Sequence, residues 1–136
     1  MGLYVPSGVE CRPLSSVHTP GFTAFETAFA AVFSEMVRPA SNAKPVIDLK
    51  YLSSLMSARP ARLLGFGGPY KRGRIISGYR ADLVIVDTNT RWIVNSQLFA
   101  TKGKNSPFEG QELCGKILMT FHEGRVVYQK VPSGRF

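Results

Sequence analysis

The residues that could take part in catalysis are few, and they are widely separated in the sequence. His18 and His122 lie near opposite ends of the chain, and Cys11 and Cys114 are almost as far apart, without a C-x-x-C spacing. A zinc site needs three or four such ligands, usually supplied in closely spaced pairs. We therefore predict no metal ligand, no catalytic residue and no cofactor in this chain.

Two carboxylates, Asp82 and Asp87, flank the apolar run Leu83–Val86. Aspartates at such positions commonly accept hydrogen bonds from nearby backbone amides, so we expect this role rather than an acid/base pair. His122 is expected to be exposed at the tip of a hairpin. The sequence also contains no Ser-His-Asp order, no P-loop and no G-x-G-x-x-G.

The composition argues against two classes of partner. The 136 residues carry 17 Lys+Arg against 9 Asp+Glu, a net charge of +8, but the cations are scattered and only Lys71–Arg74 is dense. A solvated positive face is the commoner source of this balance, so we do not expect nucleic-acid binding. No apolar run approaches the roughly 20 residues of a membrane span, and no secretion signal is recognisable, so a cytoplasmic protein is expected.

The elements that must position any site are helical in the first half. After a loop over residues 1 to 21, the T-x-x-E pattern of Thr23 and Glu26 predicts a capping box that starts a helix. Its apolar stripe is predicted to comprise Phe25, Ala28, Phe29, Val32, Phe33, Met36 and Val37. A second helix is predicted from Asp48, its cap, to Ser57, and a separate short one over Arg59–Gly65, with Pro60 in its first turn and Gly65 as a left-handed exit.

The second half is predicted to be mostly β-structure, with a boundary near residue 66. Turn residues fill positions 65 to 81, and the strand-like runs are Leu83–Val86, Trp92–Val94, Ile117–Phe121 and Arg125–Tyr128. The last two are predicted to form a hairpin through His122-Glu123-Gly124.

Four segments carry a resemblance to a known family. The segment from His18 to Ala28 resembles A-P-x-G-[IVF]-x-G-x-E-T-A, and Ala58–Gly65 resembles N-P-A-x-x-[FL]-G. Residues 71 to 87 follow K-G-x-I-x-x-G-x-x-A-D-L-[VI]-[VI]-x-D, and Thr101–Gly110 resembles S-K-x-x-x-[ST]-P-F-x-G. His18, Thr19, Ala24 and Arg59 depart from these patterns. Together the segments resemble the C-terminal part of the dihydroorotase, allantoinase and dihydropyrimidinase group of the amidohydrolase superfamily.

This resemblance implies an α+β fragment. Residues 1–66 would be the loop and terminal helices of a TIM-type barrel, and residues 67–136 would be strands of a composite accessory β-sandwich. It implies a hydrolase of cyclic amide C–N bonds that interconverts N-carbamoyl-aspartate and dihydroorotate in pyrimidine biosynthesis. The full-length enzyme would bind zinc, whereas this chain alone is predicted to be inactive. Pro20 and Gly21 are the implied substrate-binding residues, through their backbone.

Several alternatives stay open at this stage. The chain could instead derive from an allantoinase or a dihydropyrimidinase, or be a non-catalytic subunit that pairs with a barrel-bearing chain. Its expected partner is the missing barrel segment or a complementary chain, and a small-molecule substrate is expected only in the full enzyme. An uncovered face of Phe25, Phe29 and Phe33 predicts self-association. The sequence does not decide whether the chain is a truncation or a split subunit, or what its oligomeric state is.

Overall fold

The computed structural model describes residues 22–39 and 43–130. The first helix, α1, spans Ala28–Val32 and continues as a wider π-helical turn over Phe33–Val37. The second helical run has three consecutive segments: α2 over Leu49–Ser53, a π-helical turn over Ser54–Ala58 and α3 over Arg59–Leu63. Strands β1 (Leu83–Ile93), β2 (Glu112–His122) and β3 (Arg125–Gln129) form an antiparallel sheet in the order β1-β2-β3, with a 3-10 turn at Ser96–Leu98. The predicted α+β class is confirmed.

The predicted capping box at the start of α1 is wrong. The backbone N–H of Thr23 donates to the carbonyl of Asn105 over 2.8 Å, and the Glu26 carboxylate binds Ala100 and Thr101 instead of reaching back to Thr23. The helix therefore begins later, at Ala28, and Phe25 precedes it with 94% of its surface exposed. The Glu26 side chain, which could have capped the helix locally, binds a loop that is distant in the sequence.

The second helix starts as predicted but is longer. Asp48 Oδ1 accepts a hydrogen bond from Tyr51 N at 2.6 Å, which confirms the cap. Pro60 does not start a separate helix; it lies within a continuous helical run whose preceding turn is π-helical. The wider turn accommodates the proline ring, which would otherwise clash with the carbonyl four residues earlier. Gly65, with φ of +70°, provides the predicted exit.

The two predicted strands Leu83–Val86 and Trp92–Val94 are one strand with a bulge. Asp87 pairs with Lys116 and Arg91 with Cys114, so β1 has two more residues than β2 between these pairs. The Asp87 carboxylate holds the bulge by accepting from Asn89 N (2.8 Å), Thr90 N (3.2 Å) and the Thr90 hydroxyl (2.6 Å). The prediction that Asp87 bonds turn amides is confirmed, although the turn lies inside the strand.

The helices pack directly on the sheet. Phe33, Leu52 and Cys114 are buried together, so one core joins both helical segments to β2. Phe29 is half-buried beside them, and therefore the predicted uncovered face of three phenylalanines is wrong for Phe33 and only partly present at Phe29. A second cluster contains Ala30, Ala31, Val94, Phe99 and Leu113. No helix in the described ranges is long and apolar enough to cross a membrane.

Candidate functional site at the junction of two loops

The candidate site lies where the chain enters α1. The predicted substrate-binding residues Pro20 and Gly21, together with His18, fall outside the described residues, which begin at Phe22 immediately after them. The entry segment, residues 22–27, is held by the loop of residues 99–110. Thr23 N donates to Asn105 O, and Gly103 lies so close to Thr23 that an added Cβ would stand 2.6 Å from its hydroxyl oxygen. Two segments of the family resemblance therefore meet here.

Glu26 is the centre of this junction. Its carboxylate accepts hydrogen bonds from Ala100 N (3.2 Å), Thr101 N (3.0 Å) and the Thr101 hydroxyl (2.7 Å). Desolvation, the largest single effect, raises the pKa of Glu26, but the bonds from Thr101 and Ala100 and the nearby Lys104 charge together outweigh it, and the pKa lies below its ordinary value. A carboxylate engaged in this way connects two loops and is not free to act as a general base.

The 99–110 loop has its own internal order, which explains how it can hold the entry segment. Glu109 accepts from Ser96 N at 2.7 Å, and bonds from the Ser96 side chain and backbone lower the Glu109 pKa. The Ser106 hydroxyl accepts from Phe108 N at 3.3 Å, which forms a tight turn that ends at Gly110, with φ of +74°. Phe108 packs against the core cluster around Val94. The S-P-F-E-G segment is thus a turn anchored by an apolar side chain.

A second polar cluster lies at the other end of the sheet, around the β2–β3 hairpin. Asp82 Oδ1 accepts from Glu123 N at 2.8 Å and lies 3.2 Å from His122 Nδ1. Arg72 pairs with Asp82, with its Nε 3.2 Å from Oδ2, and Arg80 pairs with Glu123. Asp82 therefore bonds a turn amide, as predicted. The His122 side chain is 58% exposed, which also agrees with the prediction.

Two lysines lie together on the sheet without a strong sequence signal. The pKa of Lys116 is lowered to about 8, first because its side chain hydrogen-bonds to Lys130, then because of partial burial and the positive charge of Lys130. Its ammonium nitrogen is 5.1 Å from the centre of the Trp92 ring. Asp87 lies opposite Lys116 in the strand register. The Asp87 carboxylate accepts three hydrogen bonds that lower its pKa; the bond from the Thr90 hydroxyl has the largest effect, followed by those from the Asn89 and Thr90 amides.

The part of the chain that the structure describes does not fit a resident metal ion. Among residues 22–39 and 43–130, no three His, Cys, Asp or Glu side chains lie together as a ligand set. Cys114 is a free, buried thiol whose sulfur contacts the Thr88 carbonyl at 3.4 Å. The hydrogen bonds at the described junction hold the entry segment against the 99–110 loop.

The bridge from Glu26 to Thr101 was missed by sequence reasoning. Both residues stand in segments that carry the family resemblance, Glu26 in the E-T-A end of one and Thr101 at the start of the other. The capping-box pattern offered a simpler local partner for Glu26. The pairing of two separate motifs was the signal that could have favoured the long-range partner.

Comparison with known proteins identifies the group to which these segments belong. No protein-family model matches the chain. A Clostridium botulinum protein named dihydroorotase is 41% identical over 112 residues, 82% of this chain and 26% of its own length. Among solved structures, dihydropyrimidinase from Brevibacillus agri has a TM-score of 0.64 and 26% identity over 74% of this chain and 20% of its own. L-hydantoinase from Arthrobacter aurescens has a TM-score of 0.58 and 33% identity over 62% of this chain and 18% of its own.

The chain spans about a quarter of the length of the curated relatives that it matches. The sequence matches and the structural matches agree in naming enzymes of one kind. Over these matched residues, the chain belongs to the dihydroorotase-like cyclic amidohydrolases, the group that includes dihydroorotases and dihydropyrimidinases.

Proposed function

We propose that this chain is the C-terminal portion of a dihydroorotase-like enzyme that hydrolyses a cyclic amide C–N bond. The observation that carries the proposal is the 41% identity to a protein named dihydroorotase over 82% of the chain. The direct contact between the entry segment and the 99–110 loop supports it, because both segments carry the resemblance to this group. In this proposal residues 1–66 end a barrel and residues 67–136 belong to an accessory β-sandwich.

The proposed role of the junction is to hold the backbone of Pro20 and Gly21 against the substrate. Glu26 anchors the entry segment to Ala100 and Thr101, which fixes the chain five residues after Gly21. Glycine permits close approach of backbone amides to a ring because it has no Cβ. Positioning of this kind lowers the entropic cost of reaching a reactive geometry.

In the complete enzyme a zinc ion would supply an activated hydroxide for attack on the amide carbonyl. In this proposal the ligands of the ion and the proton-transfer groups belong to the barrel, since the described residues offer no ligand set for it. We propose that the isolated chain is inactive for this reason.

Dihydroorotate is the substrate that we favour over a hydantoin or a dihydropyrimidine. The sequence identity to the Clostridium botulinum dihydroorotase is 41%, against 26% and 33% for the dihydropyrimidinase and the L-hydantoinase. The S-P-F-E-G turn of residues 106–110 also resembles the dihydroorotase pattern more than a general amidohydrolase.

A second candidate function is a non-catalytic subunit that pairs with a barrel-bearing chain. The sheet favours it, because several large apolar side chains of β1 and β3 are about half exposed: Val84, Ile85, Val126, Val127 and Tyr128. Consecutive strand residues point to opposite faces, so the sheet exposes apolar side chains on both of its faces, and such exposure indicates that other segments cover it. That cover would be the missing barrel portion, a complementary chain or, in their absence, a second copy.

A chimaera tests the proposal. The matched quarter of the Clostridium botulinum protein is replaced by residues 18–130 of this chain, and hydrolysis of dihydroorotate, hydantoin and dihydrouracil is compared. We expect the chimaera to fold, to bind zinc and to prefer dihydroorotate, and the isolated chain to be inactive on all three. A folded, zinc-loaded chimaera without dihydroorotate turnover would overturn the enzyme proposal, and active isolated chain would overturn the role assigned to the barrel.

A further inference from the structure

A positively charged groove lies beside α3. It has a volume of about 460 Å³ and lies between the helical run ending at Leu63 and the glycine-rich loop that follows. Four arginines line it, Arg59, Arg62, Arg72 and Arg74, together with glycines that include Gly67 and Gly68. We call this feature the arginine groove. Of the described residues that line it, none is acidic.

The positive charge of the arginine groove is only partly compensated. Arg72 pairs with Asp82 and Glu123, and Arg59 stacks over the Tyr51 ring at 4.8 Å. The side chains of Arg62 and Arg74 make no hydrogen bond or ion pair within the described ranges 22–39 and 43–130. Two guanidinium groups thus line one concave surface with their donors free for a ligand.

The loop that forms the far wall is held in place. Arg72 N donates to Phe66 O at 2.9 Å, and the Tyr79 hydroxyl donates to Gly67 O at 2.9 Å. Gly73, with φ of +80°, lies against α3 so closely that an added Cβ would stand 2.4 Å from the Ala61 methyl carbon. The fold therefore sets the spacing between the backbones of Arg62 on the helix and Arg74 on the loop, whereas a ligand would still have to order the two exposed side chains.

We propose that the arginine groove binds a small molecule that carries a diphosphate group. Guanidinium groups form paired, charge-assisted hydrogen bonds with phosphate oxygens, and phosphate holds more negative charge at neutral pH than a single carboxylate. Two arginines whose side chains are unpaired line the same groove, so each can hold one of two linked phosphates. The groove lies partly on α3, within the residues 1–66 that the proposed function assigns to the barrel, but its ligand binding is measured without hydrolase turnover, so the two proposals can fail separately.

The test uses inorganic pyrophosphate as the probe and calorimetric titration of the 136-residue chain. We expect saturable one-to-one binding, weakened at least about tenfold in Arg62→Gln/Arg74→Gln, since each charge-assisted bond contributes substantially. The matched control is Arg125→Gln/Lys44→Gln, which removes the same charge from exposed residues outside the groove. It should bind pyrophosphate with nearly unchanged affinity.

The conservative variants Arg62→Lys and Arg74→Lys separate specific recognition from general attraction. They keep the net charge but lose the planar guanidinium group with its paired donors, so we expect an affinity for pyrophosphate between those of the wild type and the glutamine variant. Citrate is the carboxylate comparison and should bind more weakly than pyrophosphate. Equal weakening in the groove and control variants, equal affinity for citrate, or no saturation at about 10 mM pyrophosphate would overturn the proposal.

Discussion

Gly115 is a position where one added methyl group should disturb the packing of α1 on the sheet. It lies in β2 at φ of +91°, opposite the bulge of β1, and its carbonyl accepts a hydrogen bond from Trp92 Nε1 at 2.9 Å. A Cβ built on it would stand 2.9 Å from Phe29 Cε1 and 3.1 Å from Phe33 Cδ1. The close packing of α1 on the sheet therefore depends on a glycine here.

The cost of Gly115→Ala has two parts. An L-residue at positive φ costs about 1–2 kcal/mol, and forcing a methyl group against packed rings costs about 1–3 kcal/mol more, a total of about 2–5 kcal/mol. Gly124→Ala is the matched control, because Gly124 has φ of +78° but nothing within 4 Å of an added Cβ. The control isolates the backbone part of the cost.

Urea unfolding of the chain, followed by the fluorescence of its single tryptophan, Trp92, measures both variants. Gly115→Ala should lose about 1–3 kcal/mol more than Gly124→Ala, with similar slopes. Phe29→Ala should reduce this excess in a double-mutant cycle, since it removes the shortest contact. Equal unfolding midpoints for the two glycine variants would refute the packing argument.

Three further predictions concern the site and its charges. The pKa of Glu26 is lowered in the folded chain, so its carboxylate stabilises the fold above the unfolded pKa, and this stabilisation is lost as the pH falls through the folded pKa. The difference in urea midpoint between wild type and Glu26→Gln should therefore shrink in acid. Lys116 has a folded pKa of about 8, so stability should rise above that pH until the unfolded lysine also deprotonates. Lys130→Met should reduce this rise, because it removes two of the three causes of the shift; an unchanged pH profile would contradict the lysine pairing. In the chimaera, Gly21→Val should lower turnover far more than the thermal midpoint, and more than Gly21→Ala does; parallel losses would mean that the glycine only shapes the loop.

Local signals in the sequence were sufficient for several elements. The cap at Asp48, the glycine exit at Gly65 and the hairpin at Glu123-Gly124 each depend on residues within one turn of each other. Glu123 and Gly124 both have positive φ, 52° and 78°, as a two-residue hairpin connection of this kind requires. The free energy that selects these conformations is set by neighbours in sequence, so the pattern alone predicts them.

The bulge in β1 illustrates the limit of periodicity. Thr88, Asn89 and Thr90 are polar, and their run predicted a break between two strands. In the fold, Asp87 satisfies the amides of the extra residues and Arg38 donates to the Thr88 carbonyl at 2.9 Å, so the strand continues. An interrupted apolar pattern does not reveal whether the interruption is a loop or a stabilised bulge.

By itself the sequence determined the α+β class, the hairpin, the family resemblance and part of the helical stripe; it did not determine the burial of Ala30 and Ala31 or the exposure of Phe25. The tertiary structure alone decided which partner Glu26 takes, because Thr23 and Thr101 offer similar donors. Only the packing of the 99–110 loop brings Ala100 and Thr101, which follow Glu26 by 74 and 75 positions in the sequence, within reach of its carboxylate. It likewise brought Arg62 and Arg74 to one groove. Such contacts depend on chain segments that meet through burial of a shared core, and no local pattern encodes that distance.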